Sequence, residues 1–161
     1  FVLFIVGVGV KGNGPITAQF PASSTPNEGG NCSSWVKKLN HLVVDHTSGK
    51  VYVGGVNRLV QLDSNLRVEE CVVTGPKEDS ASCHARGCDT MEIEKSLTDS
   101  INKLLVLDYE SRTVVACGSI VQGACEKFKL NNISSQSQFI PKSVAANDEV
   151  SSTYAFIGPE D

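Results

Sequence analysis

Hydrophobic positions in this chain fall in short runs rich in Val, Ile and Leu, each closed by a polar turn, and this pattern predicts β-strands. The first runs predict strands at 39–45, 51–55, 58–63 and 66–73, with a turn at 46–50 closed by Ser48-Gly49. Four antiparallel strands in so short a stretch make one small sheet. Runs at 103–108, 113–118 and 125–130 open a second unit, with a turn at 119–124 and a polar loop at 131–137, and a third unit is expected to start near Lys142. No segment joins helix caps to a 3.6-residue period, although 91–97 has room for a turn or two of helix.

One spacing recurs within these units. Asp45 to Gly55, Asp108 to Gly118 and Asp148 to Gly158 each span ten residues, with strand, turn and strand between. An aspartate ending a strand accepts backbone N–H bonds from the turn that follows. A glycine ending the next strand permits a bend or the close approach of a neighbouring backbone. The copies start 63 and then 40 residues apart, and several short strands at a period near ~40 residues mark the blades of a propeller. The longer first offset is taken up by 74–101, which opens on Gly75-Pro76 and reads as an excursion between blades.

The expected fold is therefore all-β, an incomplete propeller of two to three blades. At least about four blades are needed to close a ring, and a chain running from Phe1 to Asp161 reads as part of a larger object. Isolated blades leave sheet edges unpaired, so the 161-residue chain alone is expected to be poorly soluble or unfolded.

Composition refines this picture. Net charge is −4 and the basic residues are dispersed, which offers no stripe for a phosphate backbone and argues against nucleic acid. The apolar start FVLFIVGVGV has the length of a signal-peptide hydrophobic region. Residues 1–18 are read as a signal-peptide remnant cut after Ala18, 19–34 as a flexible leader, and 35–161 as the propeller portion, with structure beginning near Trp35. No other run approaches the ~18 apolar residues of a membrane span, so any anchor belongs to regions absent from this sequence. The G-x-G-x-x-G at 7–12 is not read as a dinucleotide site, because Pro15, Pro21 and Pro26 forbid the helix that chemistry needs.

Six cysteines behind a signal sequence imply disulfides. Cys117 ends one strand and Cys125 begins the next, so a hairpin brings them across from each other; Cys83 and Cys88 enclose a short loop; Cys32 and Cys71 remain, left to pair with each other by elimination. A metal site at Cys83-His84-x3-Cys88 is the rival reading, but it lacks a fourth ligand. Asn31-Cys32-Ser33 and Asn132-Ile133-Ser134 are glycosylation sequons, Asn132 being the better placed in its polar loop. His41, His46 and His84 are scattered, and there is no nucleophile elbow, H-E-x-x-H or phosphate loop. The expectation is a binding scaffold with no catalytic, cofactor or metal residues, in which the repeated aspartates and glycines shape hairpins.

Longer strings carry a resemblance. TGPKEDSASC (74–83), NKLLVLDYESRTVVACGSIVQGACEKFKL (102–130), SVAANDEVSSTYAFIG (143–158) and VYVGGVNRLVQLD (51–63) resemble the start of the sema domain of plexins, and VAAND with CGS-x-x-QG-x-C-E looks most like the plexin-B branch. The resemblance implies the first blades of a seven-bladed propeller. It also implies a type I receptor ectodomain on the extracellular face of the plasma membrane, which recognises semaphorins through the complete propeller in signalling such as axon guidance. It further implies pairing of Cys83 with Cys88 and of Cys117 with Cys125, whereas Cys32 and Cys71 match no family cysteine. Semaphorins and the hepatocyte growth factor receptor group share the domain and are the alternatives. A secreted propeller hydrolase or lectin should show acidic or histidine clusters at strand ends.

Overall fold

The computed structural model describes residues 38–87 and 93–158. The expected signal remnant, the 19–34 leader, Trp35, Asn31, Cys32 and Cys88 lie outside the described residues. Two four-stranded antiparallel sheets dominate. The first is β1 (Leu39–Val44), β2 (Val51–Gly55), β3 (Arg58–Leu62) and β4 (Val68–Val73), in that order. Then comes a two-stranded ribbon, β5 (Lys77–Asp79) with β6 (Ser96–Thr98). The second sheet is β7 (Asn102–Asp108), β8 (Thr113–Gly118), β9 (Cys125–Lys129) and β10 (Ser137–Ile140), again ordered as the chain runs. These are two blades of an all-β, partial propeller.

The blades match in register as well as in strand order. Leu39 lies opposite Gly55 and His41 opposite Gly54, so Asn40 is extra on β1. On β7, Asn102 lies opposite Gly118 and Leu104 opposite Cys117, so Lys103 is extra in the same place. A bulge bends and twists a strand, and here it recurs at the same step of each innermost strand.

The blades pack face to face. Tyr52 and Leu59 of blade one meet Leu105, Val114, Ala116, Phe128 and Ile133 of blade two in one buried cluster. All but Ile133, which enters from the loop after β9, point to one face of their sheet because side chains alternate along a strand. Burying a large apolar side chain is worth about 1.5–3 kcal/mol, so this seam is a main source of cohesion between the sheets.

Three sequence expectations need correction. The loop expected at 131–137 is followed at once by β10, a fourth strand that pairs with β9 through Ser137–Phe128 and Ile140–Cys125. Its sequence, SQFI, is too short and polar to stand out, as befits an edge strand. The stretch 91–97, which had room for a turn or two of helix, instead leads, where described, into the strand β6, whose backbone pairs Leu97 with Glu78. The third strand–turn–strand copy contains no strand among its described residues. Tyr154 and Phe156 are 94% and 86% exposed there, whereas their counterparts Val51 and Val53 in blade one and Val114 and Ala116 in blade two are buried. A turn signal alone closes no hairpin when no neighbouring sheet buries its strands.

Candidate functional site

Turns on an antiparallel sheet alternate between its ends, so each blade presents two surfaces. At one end lie the β1–β2 and β3–β4 turns with their counterparts in blade two. His46 and Tyr109, the residues after Asp45 and Asp108, meet there: Tyr109 Oη is 2.6 Å from His46 Nδ1, and the rings contact edge to face.

The repeated aspartates cap their turns. The Asp45 carboxylate accepts the Thr47 backbone N–H at 2.9 Å, the Thr47 hydroxyl at 2.7 Å and the Ser48 hydroxyl. Burial pushes its pKa up, but these donors outweigh burial and hold it below the usual carboxylate value. Asp108 accepts the Ser111 hydroxyl at 2.5 Å, the Ser111 N–H at 3.0 Å and Lys127 Nζ at 3.2 Å. The Ser111 hydroxyl, then the Ser111 N–H, lower its pKa to about 2.

Asp148 makes the same kind of turn, accepting the N–H groups of Val150 at 2.8 Å and Ser151 at 2.6 Å. It does so at the opposite end of the blades. Lys103, near the start of β7, donates from Nζ to the carbonyls of Glu149 and Ser151, both at 3.0 Å. Val144 and Ala145 donate their N–H groups to Gly123 O in the β8–β9 turn. The glycines divide in the same way. A Cβ at Gly118 would meet Ser100 Oγ at 2.5 Å, and one at Gly54, the neighbour of Gly55, would meet Asn102 Cγ at 2.4 Å; at Gly158 nothing lies closer than 3.9 Å.

This second end is organised by side chains that no sequence pattern singled out. Asn57, with φ 64°, accepts the Ser100 N–H at 2.7 Å and donates to Asp99 at 2.7 Å, fastening the β2–β3 turn to the entry of β7. Its place after Gly54-Gly55 was the available clue, since asparagine tolerates left-handed backbone in turns. Val121, Gln122 and Gly123 all have positive φ. Val121 N–H donates to Asp79 at 2.9 Å, while Gln122 donates to Ala81 O at 2.7 Å and accepts from Asn147 at 2.8 Å. This turn therefore joins the 74–101 excursion, blade two and the 143–147 stretch. The CGS-x-x-QG-x-C-E and VAAND strings touch each other here.

Cys117 and Cys125 are joined by a disulfide, with S–S 2.09 Å. Cys71 and Cys83 are also disulfide-bonded. A disulfide sulfur is not the thiolate a metal needs, so Cys83 cannot serve the rival metal site. His41 donates from Nδ1 to Asn102 Oδ1 at 2.9 Å, and His84 sits in a separate turn bridged to Gly87. Thus the three histidines are held in three different places. Among the described residues no group of three His, Cys, Asp or Glu side chains could hold a metal ion. Asn132 lies half-buried at the blade seam, and Asn31 is outside the described residues.

No family model matches the chain. Curated relatives do. Human plexin-A4 is 40% identical over 96 residues, 59% of this chain, and mouse plexin-B2 is 40% identical over 129 residues, 74% of this chain. Human plexin-A3 is 37% identical over 133 residues, 82% of the chain. A solved structure of the full extracellular region of plexin A4 is 37% identical with a TM-score of 0.57, over 60% of this chain and 11% of that one. The chain belongs to the plexin family. It spans 5–7% of the length of these curated plexins. Equal identity to plexin-A4 and plexin-B2 favours neither branch.

Proposed function

We propose that this chain is part of the extracellular, ligand-recognising region of a plexin-type semaphorin receptor and works by protein–protein recognition rather than catalysis. The observation that carries this reading is its 37% identity and TM-score of 0.57 to the extracellular region of plexin A4. The two-blade architecture supports it: polar groups at the strand ends are engaged in capping turns and binding blades together, which suits a rigid scaffold that presents a surface. The partner is a semaphorin, bound through the complete propeller in cell-surface signalling such as axon guidance. The chain reaches the outer face of the plasma membrane by the secretory route. In that oxidising setting we assign Cys83 to Cys88 and Cys71 to Cys32.

The test is direct binding. The extracellular region of the full reading frame, secreted from animal cells, is immobilised and exposed to a panel of semaphorin ectodomains. Saturable binding to at least one is expected, and failure across the panel by correctly folded protein would sink the receptor reading.

A further inference from the structure

The polar loop after β9 is fastened to blade one residue by residue. Tyr52 Oη donates to Leu130 O at 2.5 Å, and the fully buried Gln61 donates from Nε2 to Asn131 O at 3.2 Å. The Ile133 N–H donates to Gln61 Oε1 at 3.1 Å, and the Ile133 side chain is 1% exposed in the core between the blades. Between them, Asn132 donates from Nδ2 to Glu70 Oε1 at 3.0 Å, and its Oδ1 accepts the Ser134 N–H at 2.8 Å. The middle of the Asn132-Ile133-Ser134 sequon is thus a core residue, and its asparagine amide bridges the seam to β4.

We propose that Asn132 carries an N-linked glycan that is added before the blade seam closes, on the same nitrogen that donates to Glu70 in the folded chain. The donor is a lipid-diphosphate-linked oligosaccharide. Nδ2 attacks the anomeric carbon; the N–C bond forms as the bond from that carbon to the diphosphate oxygen breaks. Nδ2 loses a proton, and the lipid diphosphate leaves. A transferase must hold the acceptor tripeptide in its own active site. The folded chain withholds it, because the carbonyls of Leu130 and Asn131, the Ile133 N–H and the Ile133 side chain are all committed to blade one. Modification therefore belongs to the interval before the segment docks. Afterwards the sugar stands at the outer rim, beside β4, and keeps protein partners off that part of the seam.

The proposal rests on the extracellular reading above. Its test starts from the full reading frame expressed in animal cells. Mass spectrometry of the secreted protein after enzymatic glycan release is expected to find Asn132 converted to Asp, and Asn132→Gln and Ser134→Ala are each expected to remove one glycan's mobility shift. Secreted protein with unmodified Asn132 would overturn the site while leaving the extracellular reading intact, and retention inside the cell would count against both.

Timing is tested with protein made under glycosylation inhibition, folded, and then incubated with microsomal transferase beside a free peptide spanning 128–138. Modification of the peptide and at least tenfold less of the folded chain is expected. Equal rates would overturn the claim that docking hides the sequon.

Discussion

The first two Asp-to-Gly copies and the third have the same local chemistry and different fates. Asp45, Asp108 and Asp148 all accept N–H groups from the turn that follows. Only the first two turns are closed by paired strands, and only there does the sheet bury its side chains: Val51 and Val114 are 6% and 0% exposed, against 94% for Tyr154 at the matching step. The difference teaches that a capping aspartate makes a turn, whereas a hairpin needs a neighbouring surface against which its strands lose water.

The largest effect that would sharpen this comparison is steric. Gly118→Val should destabilise blade two by about 3 kcal/mol, because its Cβ meets Ser100 against the β7 entry, whereas Gly158→Val should stay within about 0.5 kcal/mol. Urea midpoints of the secreted extracellular region, measured for both variants, decide it; equal shifts would erase the distinction between the copies.

Next comes the staple. Cys117 faces Cys125 at the register step where blade one has Gly54. Replacing both cysteines by serine should cost about 2–3 kcal/mol, seen as protease cleavage that begins within 113–129 while blade one stays resistant.

Asp108→Ala should cost about 2 kcal/mol through the loss of charged hydrogen bonds to Ser111 and Lys127. Asp148→Ala, on an exposed turn, should be close to neutral in the same denaturation assay.

The acid limb follows from the same group. With its folded pKa near 2, below the ordinary carboxylate value, Asp108 contributes stability that is present above the unfolded pKa of about 4 and is lost as pH falls from there through 2. Asp108→Asn should flatten stability over that window, and an unchanged acid profile would show that the carboxylate is not what blade two depends on. Smallest of all, serine at Tyr154 and Phe156 should leave the blades' stability unaltered while raising the soluble yield of the isolated chain, which light scattering would report.

How much of this was legible beforehand follows from where each signal resides. Strands β1 to β4 and β7 to β9 announce themselves as β-branched runs between turn residues, and their observed ends differ from expectation by a residue or two. The strand β10 and the β5–β6 ribbon do not, because SQFI, KED and SLT carry little apolar periodicity and are strands only by virtue of backbone pairing. Asn57, Gln61, Lys103 and Gln122 read as ordinary polar residues, yet each is anchored to groups tens of residues away. A buried polar side chain is tolerated only when such partners exist, and one-dimensional spacing does not record who they are.

By itself, then, the amino-acid order determined the all-β class, the blade strands, the capping turns and the plexin resemblance, because alternation, turn propensity and short strings act within a few residues of one another. Tertiary structure decided which copies became hairpins, that a fourth strand completes blade two, and that the Gln122 turn and the VAAND stretch meet at one end of the blades. Those outcomes depend on burial and hydrogen bonding between segments from about ten to nearly 80 residues apart, which meet only once the sheets have formed and face each other.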